Sequence, residues 1–234
     1  MMGTDLQQVE HHPYLGVELS SKLDWGPHIN NITGKARKSL NFLQRNLHKC
    51  PENIKQQAYT SLVRPILEYS CTAWDPYHKK HISALESVQR KAARFVKGNY
   101  QRKASVSDML QELNWPSLQD RRTATRLTML HKINSGDLPL SIPEKFISVD
   151  DIPDRAETRS QRPNQYINHG ARTMTHKYSF YPRTITQWNI LPASIIHEST
   201  STKSFNTKVW SYIQTHSAQL YTGEPVDSTP ASSN

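Results

Sequence analysis

The sequence predicts a mostly α-helical protein with a small core. Three observations lead there. Apolar residues over the first hundred or so positions recur at steps of three and four, the spacing of one helix face. Proline, glycine and Ser-x-x-Asp signals punctuate those stretches. The apolar fraction is only 35% and the mean hydropathy −0.71, which leaves little to bury and long polar margins. At 234 residues the chain is long enough for one large or two small domains.

In chain order, residues 1–13 are polar and expected to fray. Tyr14 to Leu19 reads as a short strand with a glycine break at Gly16, followed by a turn at Ser20-Ser21-Lys22. Ile29, Ile32, Ala36, Leu40, Leu43 and Leu47 fall within one arc of a helix, with Lys38, Arg45 and Lys49 on the opposite arc. This helix ends before Pro51. A second begins near Glu52, with Ile54, Ala58 and Leu62 four apart. Pro65 either kinks it or opens a new turn, because proline lacks an amide donor and crowds the preceding turn. Asp75-Pro76 closes that segment. A third helix spans 78–97, its stripe made by Ile82, Leu85, Val88, Ala92 and Val96. Arg90, Lys91, Arg94 and Lys97 line its other side, with Lys79 and Lys80 near its start.

Ser105 and Ser117, each with Asp three residues on, are N-cap signals. They start a short helix ending near Trp115-Pro116 and a longer one reaching Ser135-Gly136. Pro139, Pro143 and Pro153 then mark an irregular, Pro-rich connector. Residues 150–175 carry Arg155, Arg159, Arg162 and Arg172 and are expected to be extended or mobile. Trp188 and the Leu191-Pro192 turn begin a small C-terminal subdomain, in which Phe205, Val209, Trp210 and Ile213 suggest a last helix. The polar stretch after Tyr221 reads as a disordered tail.

The net charge is +9 and the pI about 9.5. That excess favours nucleic acid or an anionic surface as partner, against the plainer reading of solvated basic helix faces. No stretch approaches the ~18 uninterrupted apolar residues of a membrane span, and Asp5, Gln7, Gln8 and Glu10 rule out a signal-peptide pattern. Cys50 and Cys71 lack the paired spacing of a zinc module, so a reduced, intracellular protein without metal or other cofactor is expected. His28 and His131 read as surface or partner-bonded residues. The tryptophans could stack on bases, but Trp115 and Trp188 lie in apolar contexts that fit a core. No serine has an evident His/Asp partner.

Five blocks, in order, resemble the C-terminal part of the reverse transcriptase of non-LTR (LINE-like) retrotransposons. They are Tyr14-Leu15-Gly16-Val17 with Leu23-Asp24-Trp25; Leu62 to Tyr69 with Trp74-Asp75-Pro76; Leu85 to Phe95; Leu113 to Leu118 with Arg121-Arg122; and Ser179 to Pro192. The resemblance implies a β-hairpin remnant in which Tyr14, Leu15 and Gly16 are primer-grip-like, and then a helical thumb-like bundle. It also implies contact with RNA or DNA, as a template–primer duplex, through Lys38, Arg45, Lys49, Arg90, Lys91, Arg94 and Lys97. The implied segments are 1–26 hairpin remnant, 27–136 thumb-like domain, 137–175 connector, 176–215 C-terminal subdomain and 216–234 tail. Such replication would require access to the nucleus.

Departures from that pattern matter as much. Reverse transcriptases use palm aspartates in an aromatic-x-Asp-Asp turn to hold two metal ions. The only Asp pair here, Asp150-Asp151, follows Ser148-Val149 in the connector. The expectation is therefore a non-catalytic chain, without palm or endonuclease. The alternatives are a domesticated helical module that meets an acidic protein, or a relic without selected function.

Overall fold

The computed structural model describes residues 9–148, 165–167, 170–199 and 201–222. It is mostly helical with one two-stranded hairpin at its N-terminal end, as the sequence predicts. The expectation of fraying over residues 1–13 is corrected in part, because His11–Tyr14 forms a strand; residues 1–8, the Asp150-Asp151 pair, the arginines at 155, 159 and 162, and the tail beyond 222 lie outside the described residues. The chain divides into two units, Met1–Gln119 and Asp120–Asn234.

In the first unit, β1 (His11–Tyr14) and β2 (Val17–Ser20) pair antiparallel, with Tyr14 opposite Val17 and His11 opposite Ser20. The segment read as one strand with a glycine break is thus two strands around a two-residue turn. Leu15 (φ 45°) and Gly16 (φ 81°) both take positive φ, as a type I′ hairpin turn requires. Leu15 bears strain there, since a side chain crowds the left-handed region. The turn is seated on Tyr69: its hydroxyl donates to the Leu15 carbonyl at 3.1 Å, and a Cβ at Gly16 would come within 3.2 Å of its ring.

Helix α1 (Gly26–Asn46) starts where the Asp24 carboxylate accepts the Gly26 amide at 3.0 Å. It buries Ile29, Ile32, Ala36, Leu40 and Leu43, the stripe read from the sequence. Pro65 opens a new helix: α2 (Glu52–Leu62) is followed at once by α3 (Arg64–Glu68) with proline in its first turn. The face α2 buries is not the one its apolar spacing suggested. Tyr59 and Val63 are fully buried, while Ile54 and Leu62 are exposed. A short helix α4 (Cys71–Trp74) follows Ser70, which has φ 53°; at four residues it is too brief to leave a periodic signal.

Helix α5 (Lys79–Lys97) carries the expected stripe, with Leu85, Val88, Ala92 and Val96 buried. It stops at Gly98 (φ 63°), whose amide bonds the Phe95 carbonyl while Asn99 bonds that of Arg94, a Schellman ending. Helix α6 (Val106–Glu112) is capped by Ser105, which accepts the Asp108 amide. The core of this unit joins α1, α2, α3, α5 and Trp74, and closes over Met109, Leu113 and Trp115. The buried amide of Gln89 is satisfied: it accepts from the Tyr59 hydroxyl at 3.1 Å and donates to the Pro116 carbonyl at 2.8 Å, so its burial is offset by two bonds. Tyr59 also stacks on Trp115, centroids 4.4 Å apart.

Helix α7 (Leu118–Asn134) ends before Gly136 as predicted. The amide of Gln119 is capped by the Glu86 carboxylate at 3.0 Å. In the second unit α8 (Met174–Lys177), α9 (Phe180–Trp188), α10 (Ala193–His197) and α11 (Thr202–Thr222, kinked at His216) follow. Its core holds Leu127, Leu130, Ile185, Trp188, Leu191, Phe205, Val209 and Ile213. The block Ser179 to Pro192 therefore has an architectural role. Trp188 is fully buried, and the Asn189 side chain accepts the Tyr166 amide (3.0 Å) and donates to the Tyr166 carbonyl (2.8 Å).

Two histidines read as surface or partner-bonded are interior. His28 is 2% exposed; its Nδ1 accepts the Glu18 amide at 3.2 Å and its ring makes a T-shaped contact with that of Trp74, centroids 5.2 Å apart. His131 is buried against Phe205, centroids 4.2 Å apart. Burial holds both below the ordinary imidazole range, against a smaller opposing pull from Glu18 and Asp137 respectively. His81 is lowered chiefly by burial and then by Lys80. A folded state that keeps these rings neutral loses stability when the unfolded chain takes up protons. Stability should therefore be full above about pH 6.5 and decline as pH falls below it. Urea midpoints should drop between about pH 7.5 and about pH 5, and His28→Gln, which retains an acceptor, should flatten part of the decline. A midpoint that rises on acidification would refute this.

Candidate nucleic-acid interface

The cations singled out in the sequence all lie on the first unit, on α1, just past its end, and on α5. At the seam of these two helices Arg37 Nη2 donates to Ser87 Oγ (3.1 Å) and Lys91 Nζ to Asn41 Oδ1 (2.6 Å). Each pair steps one helical turn in the same sense, so α1 and α5 run alongside in the same direction. Their outward arcs form one basic surface.

The seven cations divide into three kinds. Lys38, Arg45, Lys49 and Arg90 are exposed and have no side-chain partner among the described residues. Lys91 is exposed but bonded to Asn41. Arg94 and Lys97 serve the fold. Arg94 donates to the Gln101 carbonyl (3.0 Å) and the Ala104 carbonyl (3.3 Å), holding the loop between α5 and α6. Lys97 meets Glu112 at 2.8 Å and Glu52 at 3.1 Å; these bonds, Glu112 first, raise its pKa. Spacing along a helix reports which way a cation faces, not which distant acceptor meets it.

The primer-grip-like residues form the tip of the hairpin. Tyr14 is 61% and Leu15 74% exposed, and Gly16 makes the turn possible. Sequence reasoning missed Arg37 and Phe42. Phe42 is 57% exposed on the outer side of α1. Its signal was present: it is an apolar residue off the arc that Ile29 to Leu43 define.

In the second unit a cavity of about 580 Å³ has Lys132, Asp137 and Lys203 in its wall. The Asp137 carboxylate accepts from Thr202 Oγ1 at 2.8 Å, which holds its pKa below the usual carboxylate range. Among the described residues no three His, Cys, Asp or Glu side chains are grouped to hold a metal ion, and no helix is long and apolar enough to cross a membrane.

The geometry thus defines a helical unit with exposed cations on α1, just past its end, and on α5. The chain is similar to two known proteins. It is 28% identical over 127 residues to an uncharacterised protein of Caenorhabditis elegans, covering 53% of this chain and 63% of that one. It is 29% identical over 136 residues to the RNA-directed DNA polymerase from mobile element jockey of Drosophila melanogaster, covering 54% of this chain and 14% of the polymerase. The matched segments thus span less than two thirds of either relative. No family model matches the chain, and no solved structure does. The second similarity supports a relation to LINE-like reverse transcriptases.

Proposed function

We propose that this chain is a thumb-like part of a retrotransposon reverse transcriptase that binds the nucleic-acid backbone and does not itself add nucleotides. The observation that carries the reading is the set of exposed cations Lys38 and Arg45 on α1, Lys49 just past its end and Arg90 on α5. Cations free of internal partners can neutralise phosphates and release counterions, giving affinity without sequence choice. The similarity to the jockey polymerase, over 14% of its length, supports the choice of nucleic acid as partner. The hairpin tip at Tyr14 and Leu15 would lie against the same strand, and the division at 26, 136, 175 and 215 is part of this proposal.

The test is a fluorescence-anisotropy titration of a labelled RNA–DNA hybrid at several salt concentrations. The affinity should fall log-linearly with salt. The variant Lys38→Ala/Arg45→Ala/Lys49→Ala/Arg90→Ala should bind more weakly, with a slope reduced by about one unit for each phosphate no longer neutralised. These four positions are chosen because replacing Arg94 or Lys97 would also disturb the fold. No binding at low salt, or a variant with unchanged affinity and slope, would end the proposal.

A further inference from the structure

A helix face that only grips phosphates needs cations and no exposed ring. On α1, however, Phe42 stands between two exposed cations that have no side-chain partner among the described residues. Lys38 precedes it by four residues and Arg45 follows it by three, so the three side chains share an arc of about 60°. At this spacing helix side chains are surface neighbours. Phe42 is 57% exposed and outside the core of its unit, and Lys38 and Arg45 are both exposed. A lone exposed apolar side chain is ordinary. A ring flanked one turn away on each side by exposed cations is a different arrangement: the ring offers a face to a nucleobase while the cations meet the phosphates beside it.

We infer that Lys38, Phe42 and Arg45 form a stacking site for an unpaired base, and that this surface takes single-stranded nucleic acid in preference to duplex. The inference rests on the phosphate-binding reading above and narrows it. Bases within a duplex are already stacked on each other and cannot lie on a helix side chain, whereas a splayed base in a single strand can. Arg37 and Lys91, bonded to Ser87 and Asn41 at the seam of α1 and α5, add positive charge on the same unit.

The experiment compares a labelled single strand with a blunt duplex of equal length, each titrated with the wild-type chain and three variants. Phe42→Leu keeps the apolar bulk and removes the π face. It should weaken single-strand binding about tenfold and duplex binding by less than about twofold. Phe42→Tyr, which keeps the ring, should restore the single-strand affinity. Lys38→Ala/Arg45→Ala should weaken both ligands. Because Phe42 is outside the core, circular dichroism should show each variant folded. Equal affinity of wild type and Phe42→Leu for the single strand would overturn the stacking site, as would equal losses on both ligands. The double cation variant would still report on phosphate binding. Wild-type chain that binds neither ligand at low salt would overturn both readings together.

Discussion

Replacing Trp74 with alanine should destabilise the first unit by about 3–5 kcal/mol, the range for truncating a large buried aromatic residue. Trp74 is fully buried. Its Nε1–H donates to the Tyr69 carbonyl at 2.8 Å, and its ring makes a T-shaped contact with that of His28. Tyr69 in turn holds the Leu15 carbonyl, and His28 holds the Glu18 amide. One indole therefore supports the seat of the hairpin as well as the core. Small domains are stable by only about 5–15 kcal/mol, so this loss takes a large share. Urea denaturation of wild type, Trp74→Ala and Trp74→Phe would measure it. Trp74→Phe should lie between the other two, because it fills most of the cavity and cannot donate to Tyr69. A loss below about 1 kcal/mol for Trp74→Ala would mean that the residue is not buried as described. Phe42→Leu, on an exposed arc, should stay within about 0.5 kcal/mol of wild type in the same assay.

Long, strongly periodic helices were legible. The stripe from Ile29 to Leu43 and that from Leu85 to Val96 set α1 and α5, and Ser105 and Gly136 mark a helix start and stop through local chemistry alone. Other features were not legible, for physical reasons. Helix α2 has apolar residues on two faces, Ile54 with Leu62 and Tyr59 with Val63, and periodicity cannot choose between faces; burial against α5 and Trp115 chose the second. Helices α4, α8 and α10 are too short to show a period. Within the candidate site, the outward direction of the cations was readable. The capture of Lys97 by Glu52, 45 residues earlier, was not, because a tertiary contact leaves no trace in local spacing. Local spacing also left open whether His28 and His131 were surface or partner-bonded: His28 is buried and bonded to the Glu18 amide, and His131 is buried against Phe205. Each fills an interior gap that aromatic neighbours distant in sequence create.

The second large effect is expected at Trp188. It is fully buried and stacks on Phe205 with centroids 5.5 Å apart, and Phe205 lies against His131 on its own account. Trp188 also ends α9 directly before Asn189, whose amide pairs both ways with the backbone of Tyr166. Trp188→Ala should remove about 3–5 kcal/mol from the second unit and loosen the approach of residue 166. Asn189→Ala should cost less, about 1–3 kcal/mol, since it removes two hydrogen bonds to the Tyr166 backbone and opens no comparable cavity. Hydrogen exchange can separate the two effects. Trp188→Ala should speed exchange throughout α9 and α11, whereas Asn189→Ala should speed it chiefly at the Tyr166 amide. If Asn189→Ala instead matched Trp188→Ala in magnitude and extent, the clamp and not the indole would be the main support of this unit. The prominence of Trp188 in the sequence block would then need another cause, such as a ligand contact.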